Sequence, residues 1–199
     1  MAGEAVAIGS RDLGRAEQAA RDLQSKVPGA SVHGGINAEI VAASDVVVVA
    51  VPYSAVQPTL QPLGEAMAGK IAVSVVAAVE FVDGRPRLVS VAAGSVGQEV
   101  AAILPGSRVV SAFHTLSAEK LADCDASLHE DTIVCSDDRE ARGRVIDLAE
   151  QIQGLRALSG GRLANSYYLE QFVGMLALMN RIHKAHTGLR IADVEPRPA

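Results

Sequence analysis

The stretch DVVVVAVP, Asp45 to Pro52, constrains this chain more than any other. A continuous β-branched apolar run of this length is too short to span a bilayer and has no polar alternation. It reads as a central parallel strand buried on both faces. Parallel neighbours must be joined by crossover segments, usually helices, so the run implies strands and helices in alternation on either side of it.

The flanking sequence supplies that alternation. Upstream, DLGRAEQAARDLQSK predicts a helix capped by Asp12 and ended by Pro28-Gly29. ASVHGG predicts a short strand, and NAEIVAAS a short helix capped by Asn37. Downstream, SAVQPTLQPLGEAMAG predicts a helix capped by Ser54 and kinked by Pro58 and Pro62. KIAVSVVAAV predicts a strand, EFVDGRPRL an exposed loop or hairpin, SVGQEVAAIL a helix, and RVVSAFH and DTIVCSD two further strands. A helix over DREARGRVIDLAEQI, a short strand LRALS and a long helical element from about Leu163 to Leu189 complete the pattern. The expected fold is α/β, a Rossmann-like, doubly wound, mostly parallel sheet with a C-terminal helical appendage. Gly160-Gly161 is the expected boundary. It separates a Rossmann-like sheet unit over 1–160 from a helical appendage over 161–192, with a disordered tail over 193–199.

Composition removes several function classes. The net charge of −5 and the absence of a basic run offer nothing to nucleic acid or an anionic membrane, and an aromatic content of 3% without tryptophan argues against a base-stacking platform. Cys124 and Cys135 form no CxxC and sit in no histidine cluster, which predicts reduced structural thiols and no metal. An acidic Glu4 without a basic leading region predicts no signal peptide, and a cytoplasmic location is expected.

The opening MAGEAVAIGSRD carries the first chemical signal. Val6 to Ile8 read as a buried strand, and Gly9-Ser10-Arg11 follow its C-terminal end. In a doubly wound sheet that position receives the adenosine ribose of a dinucleotide. An NAD site more often places an acid there, whereas a hydroxyl and a guanidinium suit a 2′-phosphate. The alternative is a plain exposed turn, with Arg15 on a solvated helix face.

Four segments together, VAIGSRDLGRA (6–16), ASDVVVVAVPYSAV (43–56), RVVSAFHTLSAEKLAD (108–123) and GLRALSGGRLANSYYLEQ (154–171), resemble the NADPH-dependent reductases of coenzyme F-420, a 5-deazaflavin hydride carrier. The resemblance covers the chain to about Ile191. It implies an oxidoreductase with two cofactors, NADP and F-420, and a possible homodimer. It places Ser10, Arg11 and Arg15 on the 2′-phosphate, Pro52 and Tyr53 against the cofactor, and His114 beside the deazaflavin as the catalytic residue. Asn165, Ser166 and Glu170 complete the cofactor-binding set. Hydride transfer between carbon centres requires no acid or base of its own, so His114 is expected to orient or polarise the ring.

The chain also departs from the family pattern. The strand, glycine-rich turn GGTGxLG and helix that open such proteins have no counterpart, and HGGIN (33–37) does not replace them. AGEAV reads as the interior of a longer protein whose start is assigned too late; true loss, with weakened nucleotide binding, is the competing reading. Tyr167 stands where arginine is usual, Gln171 and Val173 replace small hydroxyl residues, and Ser117 replaces a frequent proline. Two alternative functions therefore stand beside the first: an NADP-dependent reductase of another small-molecule acceptor, and a non-catalytic nucleotide-binding homologue.

Overall fold

A computed structural model describes residues 4–123 and 127–194. Strand β1 (Val6–Ser10) leads into helix α1 (Leu13–Lys26), whose first turn is capped by the Asp12 carboxylate accepting from the Arg15 N–H. Strand β2 (Val32–Ile36) pairs parallel to β1, with Ser10 opposite Ile36. Helix α1 lies so close to β2 that a Cβ at Gly34 would meet the Ala16 backbone, which accounts for one glycine of the HGG run. Short α2 (Asn37–Ala42) follows directly, then β3 (Val46–Val49). After β3 the chain forms α3 (Val56–Leu60), β4 (Ile71–Ser74) and an antiparallel hairpin of β5 (Val79–Val82) and β6 (Arg85–Leu88). Then come α4 (Val96–Ile103), β7 (Arg108–Ser111), α5 (Ala118–Leu121), β8 (Glu130–Cys135), α6 (Arg139–Ala149), β9 (Leu155–Gly161) and α7 (Ser166–His183).

The strands do not form one sheet. β1 and β2 pair only with each other, while β3-β4-β7-β8-β9 form a five-stranded sheet in that order. Every pairing is parallel except β7 with β8 and the hairpin. The expectation that DVVVVAVP is a central strand buried on both faces is therefore corrected. The strand covers Val46 to Val49 and forms the sheet's edge, and Val48 is 56% exposed. No strand among the described residues lies hydrogen-bonded between β1 and β3. A sequence written for an interior strand has one bare flank.

Elsewhere the alternating side chains of the sheet feed two cores, as helices on both faces require. Ala72 and Val109 pack with Val56, Leu60, Met67, Val96 and Val100 on one side. Ile71, Val73 and Val110 pack with Val134, Val145 and Ala149 on the other.

Several expected boundaries shift for local reasons. The helix expected over 54–69 breaks into a 3-10 turn (Tyr53–Ala55), α3 and a second 3-10 turn (Gln61–Leu63). Pro58 and Pro62 remove backbone donors there, and Ser54 caps nothing. Asn37 does not cap α2; Ile36 occupies that position without a side-chain bond. Gly160-Gly161 are the last two residues of β9, just before the 3-10 turn Leu163–Asn165 that leads into α7. Helix α7 stops at His183, where Lys184 turns left-handed at φ 50°.

Beyond α7 the chain is tied to the sheet. Asp131 donates its N–H to Leu189 O and accepts from Ile191 N–H, and Arg156 donates to Ile191 O and Val194 O. Residues 195–199 of the expected tail, and Cys124, lie outside the described residues. Cys135 is a free, buried thiol whose pKa burial pushes up to about 11. No described helix is long and apolar enough to cross a membrane.

Candidate functional site

The residues singled out by sequence fall into two groups, each at the carboxyl ends of parallel strands. The first lies on β1. Ser10 ends the strand, and its Oγ accepts from the Asp12 N–H at 3.1 Å, which leaves the hydroxyl proton free to donate outward. Arg11 occupies the bend before α1 and Arg15 its first turn. Both are exposed, and neither guanidinium has a hydrogen bond or ion pair among the described residues. A free hydroxyl and two free guanidinium groups beside one strand end form a donor set suited to a phosphate monoester.

The second group surrounds the N-terminus of α4. Ser95 caps that helix by accepting from Gln98 N–H at 3.1 Å, and its hydroxyl donates to Gln98 Oε1 at 3.2 Å. Glu170, 3% exposed on α7, accepts from Val96 N–H at 2.7 Å and Gly97 N–H at 3.0 Å. Burial raises its carboxyl pKa, while those two N–H groups and Ser166 oppose the rise. Ser166 Oγ donates to Ser95 Oγ at 2.8 Å, so the N-terminal ends of α7 and α4 are joined twice. Tyr53 donates its hydroxyl to Glu99 Oε2 at 3.0 Å. Its phenol pKa is raised, first by burial and then by the Glu99 and Glu170 carboxylates. Asn165 donates from Nδ2 to Gly160 O at 2.7 Å, and Pro52 leads the chain into the 3-10 turn.

His114 follows β7 and is buried, with Nε2 3.3 Å from Val76 O. A carbonyl oxygen can only accept, so Nε2 carries the proton and Nδ1 presents a lone pair; Nδ1 has no partner. Burial holds the imidazole pKa down at about 4, and the Val76 carbonyl opposes the shift only in part. The ring is neutral near pH 7 and donates from Nε2 to the Val76 carbonyl. Nearby in the sheet, Ser74 and Ser111 stand opposite each other on β4 and β7, and both buried hydroxyls lack partners.

Thus Tyr53, Ser166 and Glu170 converge on α4, while Ser10, Arg11 and Arg15 form a separate cluster. Sequence reasoning missed Ser95, Val96, Gly97 and Glu99. The Ser-x-x-Gln cap was a readable signal for the first, but nothing local announces that Glu170 crosses from another helix. Two surface grooves lie elsewhere. One of about 530 Å³ is lined by the hairpin and Arg181, the other of about 340 Å³ by Arg139, Arg142 and β9 residues. No trio of metal-ligating side chains occurs among the described residues.

Comparison with known proteins draws on the whole chain. Residues 1–78 match the family model described as NADP oxidoreductase, coenzyme F420-dependent. The chain is 36% identical over 197 residues to the F420-dependent NADP reductase of Methanocaldococcus jannaschii, an alignment covering 96% of this chain and 88% of that protein. It is 32% identical over 203 residues to the enzyme of the same name from Methanothermobacter marburgensis, covering 98% and 90%. Among solved structures, a protein of Sinorhizobium meliloti shares the fold at a TM-score of 0.67 and 24% identity, over 83% of this chain and 77% of that one. A crystal structure from Arthrobacter sp. FB24 shares it at 0.77 and 20% identity, over 96% and 100%. The near-complete alignments at more than 30% identity are decisive: this chain belongs to the F420-dependent NADP reductase family.

Proposed function

We propose that the chain is an oxidoreductase that couples NADP to the deazaflavin F420. The observation that supports this reading is the unspent donor set at the end of β1 and the start of α1: the Ser10 hydroxyl and the Arg11 and Arg15 guanidinium groups, whose chemistry suits a 2′-phosphate. When bound, the two cofactors supply the chemistry themselves, a hydride exchanged between a nicotinamide carbon and a deazaflavin carbon. The protein's task is to hold the rings together. Neutral His114 would orient the deazaflavin ring, while Glu170 and Ser166 hold the start of α7 against α4 as the wall on the acceptor side. Pro52, Tyr53 and Asn165 line the approach. The test is NADPH-driven loss of oxidised F420 absorbance, with R11A shifting cofactor preference away from NADP by at least ten-fold; unchanged preference defeats the reading.

We infer further that α7 pairs with a second copy. Tyr168, Met175 and Ile182 are 70%, 51% and 67% exposed and recur every seven residues, a stripe along one helix face. Seven-residue spacing is the repeat by which two identical helices bury a shared seam.

A further inference from the structure

The side chain of Asn37 lies over Gly9. A Cβ at Gly9 would come within 2.8 Å of Asn37 Oδ1, and Gly9 has no left-handed backbone to require glycine. Ser10 is opposite Ile36 across the β1–β2 register, so Asn37 is the first residue beyond that paired end. Asparagine at a helix start ordinarily caps it. Here the cap is Ile36, and the half-buried Asn37 carboxamide has no hydrogen-bond partner among the described residues. Its two N–H donors are therefore unspent at the same strand ends as Ser10, Arg11 and Arg15.

We propose that Asn37 is a specificity-determining residue of the nucleotide site, its carboxamide N–H donating to the 2′-phosphate. The proposal rests on the NADP reading and extends it to α2. The chemistry suits the position. Asp12 and Glu39 already bring carboxylates to this edge, and a carboxamide adds a donor to the phosphate without another cation for them to neutralise. A side chain at Gly9 would meet the carboxamide oxygen and push the whole Asn37 side chain, its N–H group included, off this strand end.

Titration of the full chain with 2′,5′-ADP and 5′-AMP, ligands that differ only in the 2′-phosphate, reads this edge without turnover, pyrophosphate or acceptor. The wild-type protein prefers 2′,5′-ADP. N37A reduces that preference about ten-fold, the effect of one hydrogen bond to a charged group. The near-isosteric N37D reduces it further by placing a carboxylate against the phosphate. G9A reduces it with Asn37 still present. A wild-type chain with no preference overturns the NADP reading and this assignment together. A wild-type preference that N37D retains within two-fold overturns the assignment alone, even if N37A fails to fold.

Discussion

Glu170 accepts a hydrogen bond from the Gly97 N–H at 3.0 Å, joining the second turn of α7 to the first turn of α4 across 73 residues of sequence. The same side chain takes the Val96 N–H, so one buried carboxyl group satisfies two of the donors that a helix start leaves open. E170A strands both donors and is expected to cost about 2–4 kcal/mol in urea unfolding. E170Q, with one acceptor oxygen left, should cost roughly half as much. In G97A the new Cβ would lie 3.1 Å from Ser166 Oγ and 3.2 Å from Ser111 Cβ, so that variant should lose about 1–3 kcal/mol by overpacking.

His114 makes stability depend on pH in a defined window. Burial depresses its pKa in the folded protein to about 4 from an ordinary value of 6.5, so the unfolded chain binds the proton more readily. Stability from this group is complete above about pH 6.5 and falls as pH drops towards 4, by up to about 3 kcal/mol. Denaturant unfolding at stepped pH should show a shallower slope across that window in H114N than in the wild type.

Arg156 donates from Nε to Asp131 Oδ1 at 2.7 Å and from Nη2 to Oδ2 at 2.6 Å, and the carboxylate is fully buried. Burial alone would raise the Asp131 pKa, but the Arg156 hydrogen bonds, the Ile191 amide and the charges of Arg156 and Arg190 together hold it below the usual range. A depressed carboxyl pKa stabilises the fold above the unfolded value near 4, and that contribution is lost as pH falls below it. R156A leaves the charge buried and unpaired and should cost about 3–5 kcal/mol. Amide exchange at Ile191 should accelerate in the same variant, because its acceptor anchors the segment after α7.

If α7 forms the contact between two copies, a charge in its stripe should separate them. M175E and I182E are expected to convert a dimer to a monomer in sedimentation, with monomer unfolding unchanged within about 0.5 kcal/mol because both side chains face solvent. A wild-type chain that sediments as a monomer at micromolar concentration removes this contact.

The edge position of β3 makes a contrast within one short strand. V48K should change stability by no more than about 0.5 kcal/mol, since Val48 is exposed, whereas V49A removes methyl groups from a buried position and should cost about 1–2 kcal/mol. Parallel urea titrations measure the difference.

The sequence by itself determined which segments become strands and helices where periodicity was strong, as in α1, α6 and the β4 core strand. It also determined which donor groups gather at the end of β1, because residues 10, 11 and 15 are neighbours on one strand end and the helix that follows. Capping was less legible: Asn37 has the right residue type for a cap but does not use it, since α2 begins directly from a strand without a turn. Only the tertiary structure decided that Val46–Val49, an interior strand by composition, sits at an edge. An apolar run records what side chains prefer and says nothing of whether a neighbouring strand is there to pair. Tertiary contact likewise decided that Glu170 caps a helix begun 74 residues earlier and that His114 is neutral. Both depend on burial and on partners that no local pattern encodes.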